Sequence, residues 1–138
     1  MVNNSTVCFI DYQGGMKGAL QYDAASLLWQ AKSNLSEEWK KKLFDYYMEC
    51  VEKNIGYKID KAQFEEQYQG YVLIRLLQVL GAYGFRGLFE RKAHFLSSIP
   101  LALKNLSLFM QNNSTAIVPA FFQQLLLKIT DKKVIERF

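Results

Sequence analysis

Apolar and polar positions alternate in two ways along the chain, and they divide it into a short β-leaning opening and a long helical remainder. Val2 leads into the polar cluster Asn3-Asn4-Ser5-Thr6, and Val7 to Ile10 is a brief apolar run, so residues 1–13 read as a hairpin. No other stretch reads as a strand. Gly14, Gly15 and Gly18 mark a loop over residues 14–22. Asp23 then reads as an N-cap, with a short helix over Ala24 to Lys32. Ser36 caps the next helix, with Glu37 and Glu38 in its first turn. There Trp39, Leu43, Tyr46, Tyr47, Cys50 and Val51 recur at helical spacing as a core-facing stripe, and Gly56 stops the helix.

Asp60 starts the longest helix, Lys61 to Ala82, whose second half is apolar on nearly every side, as in a helix surrounded by others. Arg75 lies in that half, and a structural salt bridge is the expected answer to its charge. The glycines of Gly81-Ala82-Tyr83-Gly84-Phe85-Arg86-Gly87 break the helix. Leu88 to Leu96 reads as a short helix. Ser98-Ile99-Pro100 caps and opens another that runs to about Gln111. Pro119 opens the last, through Ile129. The expectation is a mainly α fold forming one domain over residues 1–138: the hairpin over 1–13, the Gly-rich loop over 14–22, five or six helices over 23–129, and a charged tail over 130–138.

Composition narrows the classes. Half of the 138 residues are hydrophobic and 14% are aromatic, enough for a proper core and far from a disordered composition. The net charge of +4 is spread out, with Lys40 to Lys42 the one triplet, so it reads as solvated helix face rather than a nucleic-acid patch. Cys8 and Cys50 are too few for a disulfide framework or a zinc site, which fits a reduced, cytoplasmic setting. Residues 1–6 lack the basic and apolar regions of a signal peptide. The uncharged run 105–127 is interrupted by Gln111 to Thr115 and by Pro119, so it is too broken to cross a bilayer. A soluble protein without nucleic-acid or membrane partners is expected.

Few residues could carry chemistry. A Ser or Cys nucleophile needs a base, and the single histidine, His94, lies in a basic, aromatic segment with no nucleophile elbow nearby. Gly14-Gly15-Met16-Lys17-Gly18 lacks the spacing and hydroxyl of a Walker loop. That leaves Asp11, at the exit of an apolar run and beside glycines. It admits two readings, a plain turn aspartate or a ligand for a hard cation such as Mg²⁺, which takes one or two protein carboxylates and fills its shell with phosphate oxygens and water.

The stretch Phe9-Ile10-Asp11-Tyr12-Gln13-Gly14 through Gln21-Tyr22-Asp23-Ala24-Ala25-Ser26-Leu27-Leu28 resembles the metal-binding motif of the aminoglycoside phosphotransferase and choline kinase group, small-molecule kinases with a protein-kinase-like fold. The later stretch Leu76 to Gly87, running on to Ser98-Ile99-Pro100, resembles a bacterial branch of predicted phosphotransferases. The resemblance implies that Asp11 binds Mg²⁺ bridging ATP phosphates and that Asp23 braces the catalytic loop. It further implies that the helices after residue 36 form the acceptor-side wall. Arg86, Arg91 and His94 are the candidate contacts for an anionic acceptor, with ordinary surface and packing residues as the other reading.

The group also requires a nucleotide-binding lobe and a catalytic loop of the pattern H-x-D-x-x-x-x-N, and neither occurs in these residues. By the resemblance the catalytic loop would finish just upstream of Met1, so no catalytic base is assigned within the chain. The expected function is part of an ATP-dependent small-molecule phosphotransferase, the helical part of its larger lobe, inactive by itself and binding neither Mg²⁺ nor ATP alone. Its expected partners are the N-terminal lobe, or a second copy through an exposed apolar face, and a small-molecule acceptor. The alternative is a non-catalytic helical binding or regulatory module derived from the same fold.

Overall fold

In a computed structural model, residues 2–3, 6–7, 17–112 and 118–136 are described, the first four by their backbone alone. Val2–Asn3 (β1) pairs antiparallel with Thr6–Val7 (β2), Val2 opposite Val7. The rest of the hairpin expected over residues 1–13 lies outside the described residues. Beyond the strands the described chain is helical: α1 (Leu20–Leu28), a 3₁₀ turn (Ala31–Ser33), α2 (Glu37–Ile55) and α3 (Lys61–Gly84). After these come a π-helical turn (Phe85–Phe89), α4 (Ala93–Leu96), α5 (Ile99–Asn112), α6 (Ala120–Ile129) and α7 (Lys132–Ile135). The mainly α character expected of the chain holds.

Several boundaries arise from local chemistry. The Ser36 hydroxyl accepts the Trp39 N–H at 3.3 Å and starts α2, while Gly56 ends it in the left-handed region at φ +79°. Asp60 caps α3 through the Gln63 N–H. Between them Glu52 fixes the turn. Its carboxylate accepts the Ile59 N–H at 3.2 Å and the Lys58 ammonium at 2.9 Å. The bond from Lys58 holds the Glu52 carboxyl below its ordinary value.

Several boundaries depart from expectation. Asp23 is not an N-cap: α1 begins at Leu20, with Ala19 as the cap residue, and Asp23 lies within its first turn. Tertiary contacts of Gln21 and Tyr22 with α3 extend the helix past the local cap signal. The glycines after Leu80 do not break α3, which runs on to Gly84 and into the π turn. The helix expected over Leu88 to Leu96 shrinks to α4, because Arg91 takes a left-handed conformation at φ +56° just before it. The Ser98 hydroxyl, expected to cap α5, donates instead to the His94 carbonyl at 2.7 Å. The charged tail is not plain coil either, since Asp131 caps α7 by accepting the Lys133 N–H.

The core lies where α1, α2, α5 and α6 meet α3, around Ala25, Val72, Leu76, Leu106, Phe109 and Leu126, each buried almost completely. Phe44 stacks on Tyr68 at 3.9 Å, and Trp29 meets Phe109 edge-on and donates to the Tyr68 oxygen at 3.1 Å. By length and composition the continuous helix Lys61–Phe89 could cross a bilayer. In the fold α1 and α5 lie along it, and Val72, Leu73, Leu76 and Val79 are buried. Only 28% of its apolar window is buried, however, and Ile74 is exposed, so the helix is packed on one side rather than surrounded as expected. Arg75 is half-buried and forms no ion pair among the described residues, so the expected salt bridge is absent there. Partial exposure lets a long guanidinium stem lie on apolar surface with its charge toward water.

Candidate functional site

The start of α1 is held from two sides. The Tyr47 hydroxyl of α2 donates to the Leu20 carbonyl at 2.7 Å. From α3, Gln67 accepts a bond from the buried Gln21 at 2.8 Å, and Gln78 accepts one from the Tyr22 hydroxyl at 2.9 Å. The Tyr22 ring also meets Tyr71 edge-on. On this anchored turn Asp23 stands exposed, where the helix dipole favours a carboxylate. Burial raises the Tyr47 phenol above its ordinary value, and the negative charge of Asp23 adds to that. Asp11 lies outside the described residues. Among the described residues no group of three His, Cys, Asp or Glu side chains converges on a metal position.

Arg86, Arg91 and His94 share one region, the π turn and α4. Arg86 lies over the Phe95 ring at 5.1 Å, and His94 packs on the same ring at 4.2 Å. The Arg86 carbonyl accepts the Lys92 N–H at 3.0 Å, which folds the chain after the turn back beside it. All three candidate residues are exposed. Glu90, between them, has its carboxyl held below its ordinary value by a bond from Lys92, and by Arg86 as well. Gly87 is tightly packed here: a Cβ would stand 3.0 Å from the Leu96 nitrogen and 3.1 Å from its Cα.

Two features of α2 run against the sequence reading. The stripe expected to face the core has Trp39, Leu43 and Tyr46 exposed. The buried stripe joins the expected Val51 to Lys40, Phe44, Met48 and Glu52, with Tyr47 and Cys50 half-buried beside it. Phe44, Met48 and Val51 also recur at helical spacing, so α2 carries two apolar stripes, and packing on Tyr68 and Phe64 selects one. Lys40, read as solvated, is buried with its ammonium 3.7 Å from the centre of the Trp29 ring and 2.8 Å from Glu37. Glu37 in turn accepts a bond from Asn112 at 3.3 Å.

The rejected stripe opens onto α1. Leu27, Leu43, Tyr46, Tyr47 and Cys50 line a wholly apolar groove of about 200 Å³ between α1 and α2. Leu27 is 71% exposed and Tyr46 64%. The groove is the feature that sequence reasoning missed, and the surplus of apolar positions on α2 was its signal. No family model matches the chain, and neither a curated protein nor a solved structure is similar to it.

Proposed function

We propose that these residues form the helical part of an ATP-dependent small-molecule phosphotransferase. The catalytic base and the nucleotide-binding loop would come from polypeptide outside the 138 residues. The observation that carries the proposal is the order of parts. An apolar run ends in Asp11, glycines come next, and a helix then presents an exposed carboxylate, Asp23, from a first turn anchored to α2 and α3. A rigid helix start suits a residue that must brace a neighbouring loop. In this reading Asp11 would hold Mg²⁺, which supplies charge neutralisation for phosphoryl transfer when bound. None of the described residues is assigned as a metal ligand. General-base help is worth typically about 10²–10⁴-fold, so the chain alone is expected to be inactive.

The test is to read the coding sequence upstream of Met1 in frame. If it supplies an Asp followed five residues on by an Asn, ATP turnover is measured on the longer protein with and without Asp11→Ala. Turnover that collapses in the variant supports the proposal. An upstream stop codon, or turnover indifferent to Asp11, overturns it.

The groove between α1 and α2 favours a second reading, a non-catalytic helical binding module, because an exposed apolar surface of this kind marks a protein contact. Under it, Asp11→Ala leaves function intact, whereas Leu27→Glu abolishes association.

A further inference from the structure

The π turn and the start of α4 carry exposed apolar side chains and positive charge in one short segment. Phe85 and Phe89 stack at 5.2 Å, yet they are 56% and 76% exposed, and Leu88 between them is 58% exposed. Rings that pack on each other while facing water are held out by the backbone rather than drawn in. The π turn, the close approach of Gly87 to the Leu96 backbone and the left-handed Arg91 together fix that backbone.

Arg86, Arg91 and Lys92 against Glu90 give residues 85–96 a net charge of +2 with His94 neutral, half the +4 of the whole chain. Glu90 is engaged by Lys92 at 2.7 Å, and among the described residues neither Arg86 nor Arg91 forms an ion pair. These cations are already neighbours in the sequence, and the fold adds the exposure of Phe85, Leu88 and Phe89 in the same segment.

We propose that this segment docks on an anionic lipid surface, with Phe85, Leu88 and Phe89 entering the acyl boundary and Arg86 and Arg91 meeting headgroup phosphates. The expectation from sequence is that no membrane is bound. Three exposed apolar side chains in the same segment as two arginines without ion pairs among the described residues are what argue otherwise. Interfacial binding needs exposed apolar side chains beside cations and no shaped counterpart, and this surface supplies both. A second copy of the chain is disfavoured as the occupant, because pairing two such segments would set +2 against +2.

The test is flotation of the full chain with vesicles of phosphatidylglycerol and phosphatidylcholine, and with phosphatidylcholine alone, at low and high salt. Binding is expected only to the anionic vesicles and should weaken with salt. Phe89→Ser should weaken it by about tenfold, and Arg86→Gln or Arg91→Gln by about fivefold each. Phe121→Ser removes an equally exposed ring on α6 and should leave binding unchanged. Circular dichroism checks that each variant remains helical.

Four results with vesicles or phosphate, and one with a polyanion, would overturn the proposal. The four are no vesicle binding, equal binding to neutral vesicles, binding indifferent to Phe89 and both arginines, and inorganic phosphate raising the melting temperature of a chain that ignores vesicles. The last would make the segment a small-anion site. Stronger retention by polyglutamate than by anionic vesicles would likewise overturn it, in favour of an acidic protein partner.

Discussion

Glu37→Gln should destabilise the protein more than Lys40→Met, although Lys40 is the more buried partner. The Lys40 side chain is 6% exposed and that of Glu37 44%, with the charges 2.8 Å apart. Breaking a fully buried pair by removing one partner costs about 3–5 kcal/mol. With Glu37 nearly half in solvent, about 1–2 kcal/mol is expected for Glu37→Gln, because the Lys40 ammonium then loses its counter-charge and keeps the Trp29 ring and a neutral amide oxygen. Lys40→Met retains the apolar stem and removes the desolvated charge. It loses a cation–π contact worth about 0.5–2 kcal/mol, so it should lie within about 1 kcal/mol of the parent. Glu38→Gln is the control. It occupies the same first turn, but its pair with Lys42 is exposed on both sides, and it should cost at most about 0.5 kcal/mol. Urea unfolding of the parent, the three single variants and Glu37→Gln/Lys40→Met would measure this, with the double variant recovering about 1 kcal/mol relative to additivity. If Lys40→Met costs more than Glu37→Gln, or Glu37→Gln costs no more than Glu38→Gln, the reasoning fails.

Two further outcomes are expected. Gly87→Ala places a methyl group 3.0 Å from backbone at Leu96 and should lower stability by about 2 kcal/mol, whereas Gly81→Ala meets open space within α3 and should raise it by about 0.5–1 kcal/mol; thermal melts of the pair distinguish them. Burial pushes the Tyr68 phenol up to about 12, with the bond from Trp29 acting in the opposite direction. Below the ordinary value near 10 both folded and unfolded states hold the proton. Between about pH 10 and 12 only the unfolded state releases it, so stability falls with rising pH across that window. Tyr68→Phe should flatten that alkaline fall in urea midpoints, at a cost of about 1 kcal/mol at neutral pH for the bond to Trp29.

What could be read in the sequence was what short-range chemistry decides. Ser36, Gly56 and Asp60 bound their helices because a hydroxyl, an absent Cβ and a carboxylate each act within one turn. Where two local solutions compete, the sequence is ambiguous. On α2 both apolar stripes have helical spacing, and only Phe64 and Tyr68 of α3 decide between Leu43 and Phe44. The burial of Lys40 depends on Trp29, eleven residues earlier, and so escaped a reading of the lysine triplet as surface. The continuation of α3 through Gly81 and Gly84 was hidden for the same reason, since glycine propensity is weak beside the packing of Val72, Leu76 and Val79 earlier in the same helix. Of the candidate site, Arg86, Arg91 and His94 were legible as neighbours in one basic, aromatic segment, but the packing of Arg86 and His94 on the Phe95 ring was not.

The Glu52 turn also bears on the order in which the chain assembles. The bonds from Lys58 and Ile59 to Glu52 close loops of six and seven residues. The Gln21–Gln67 bond spans 46 residues, and the one from Asn105 to Trp29 spans 76. Loop-closure entropy grows with span, so the α2–α3 hairpin has the cheapest start. The expected order is this hairpin first, with α1 and α5 then closing over α3, which pulse-labelled amide exchange would register as early protection near Ile59 and late protection at Trp29.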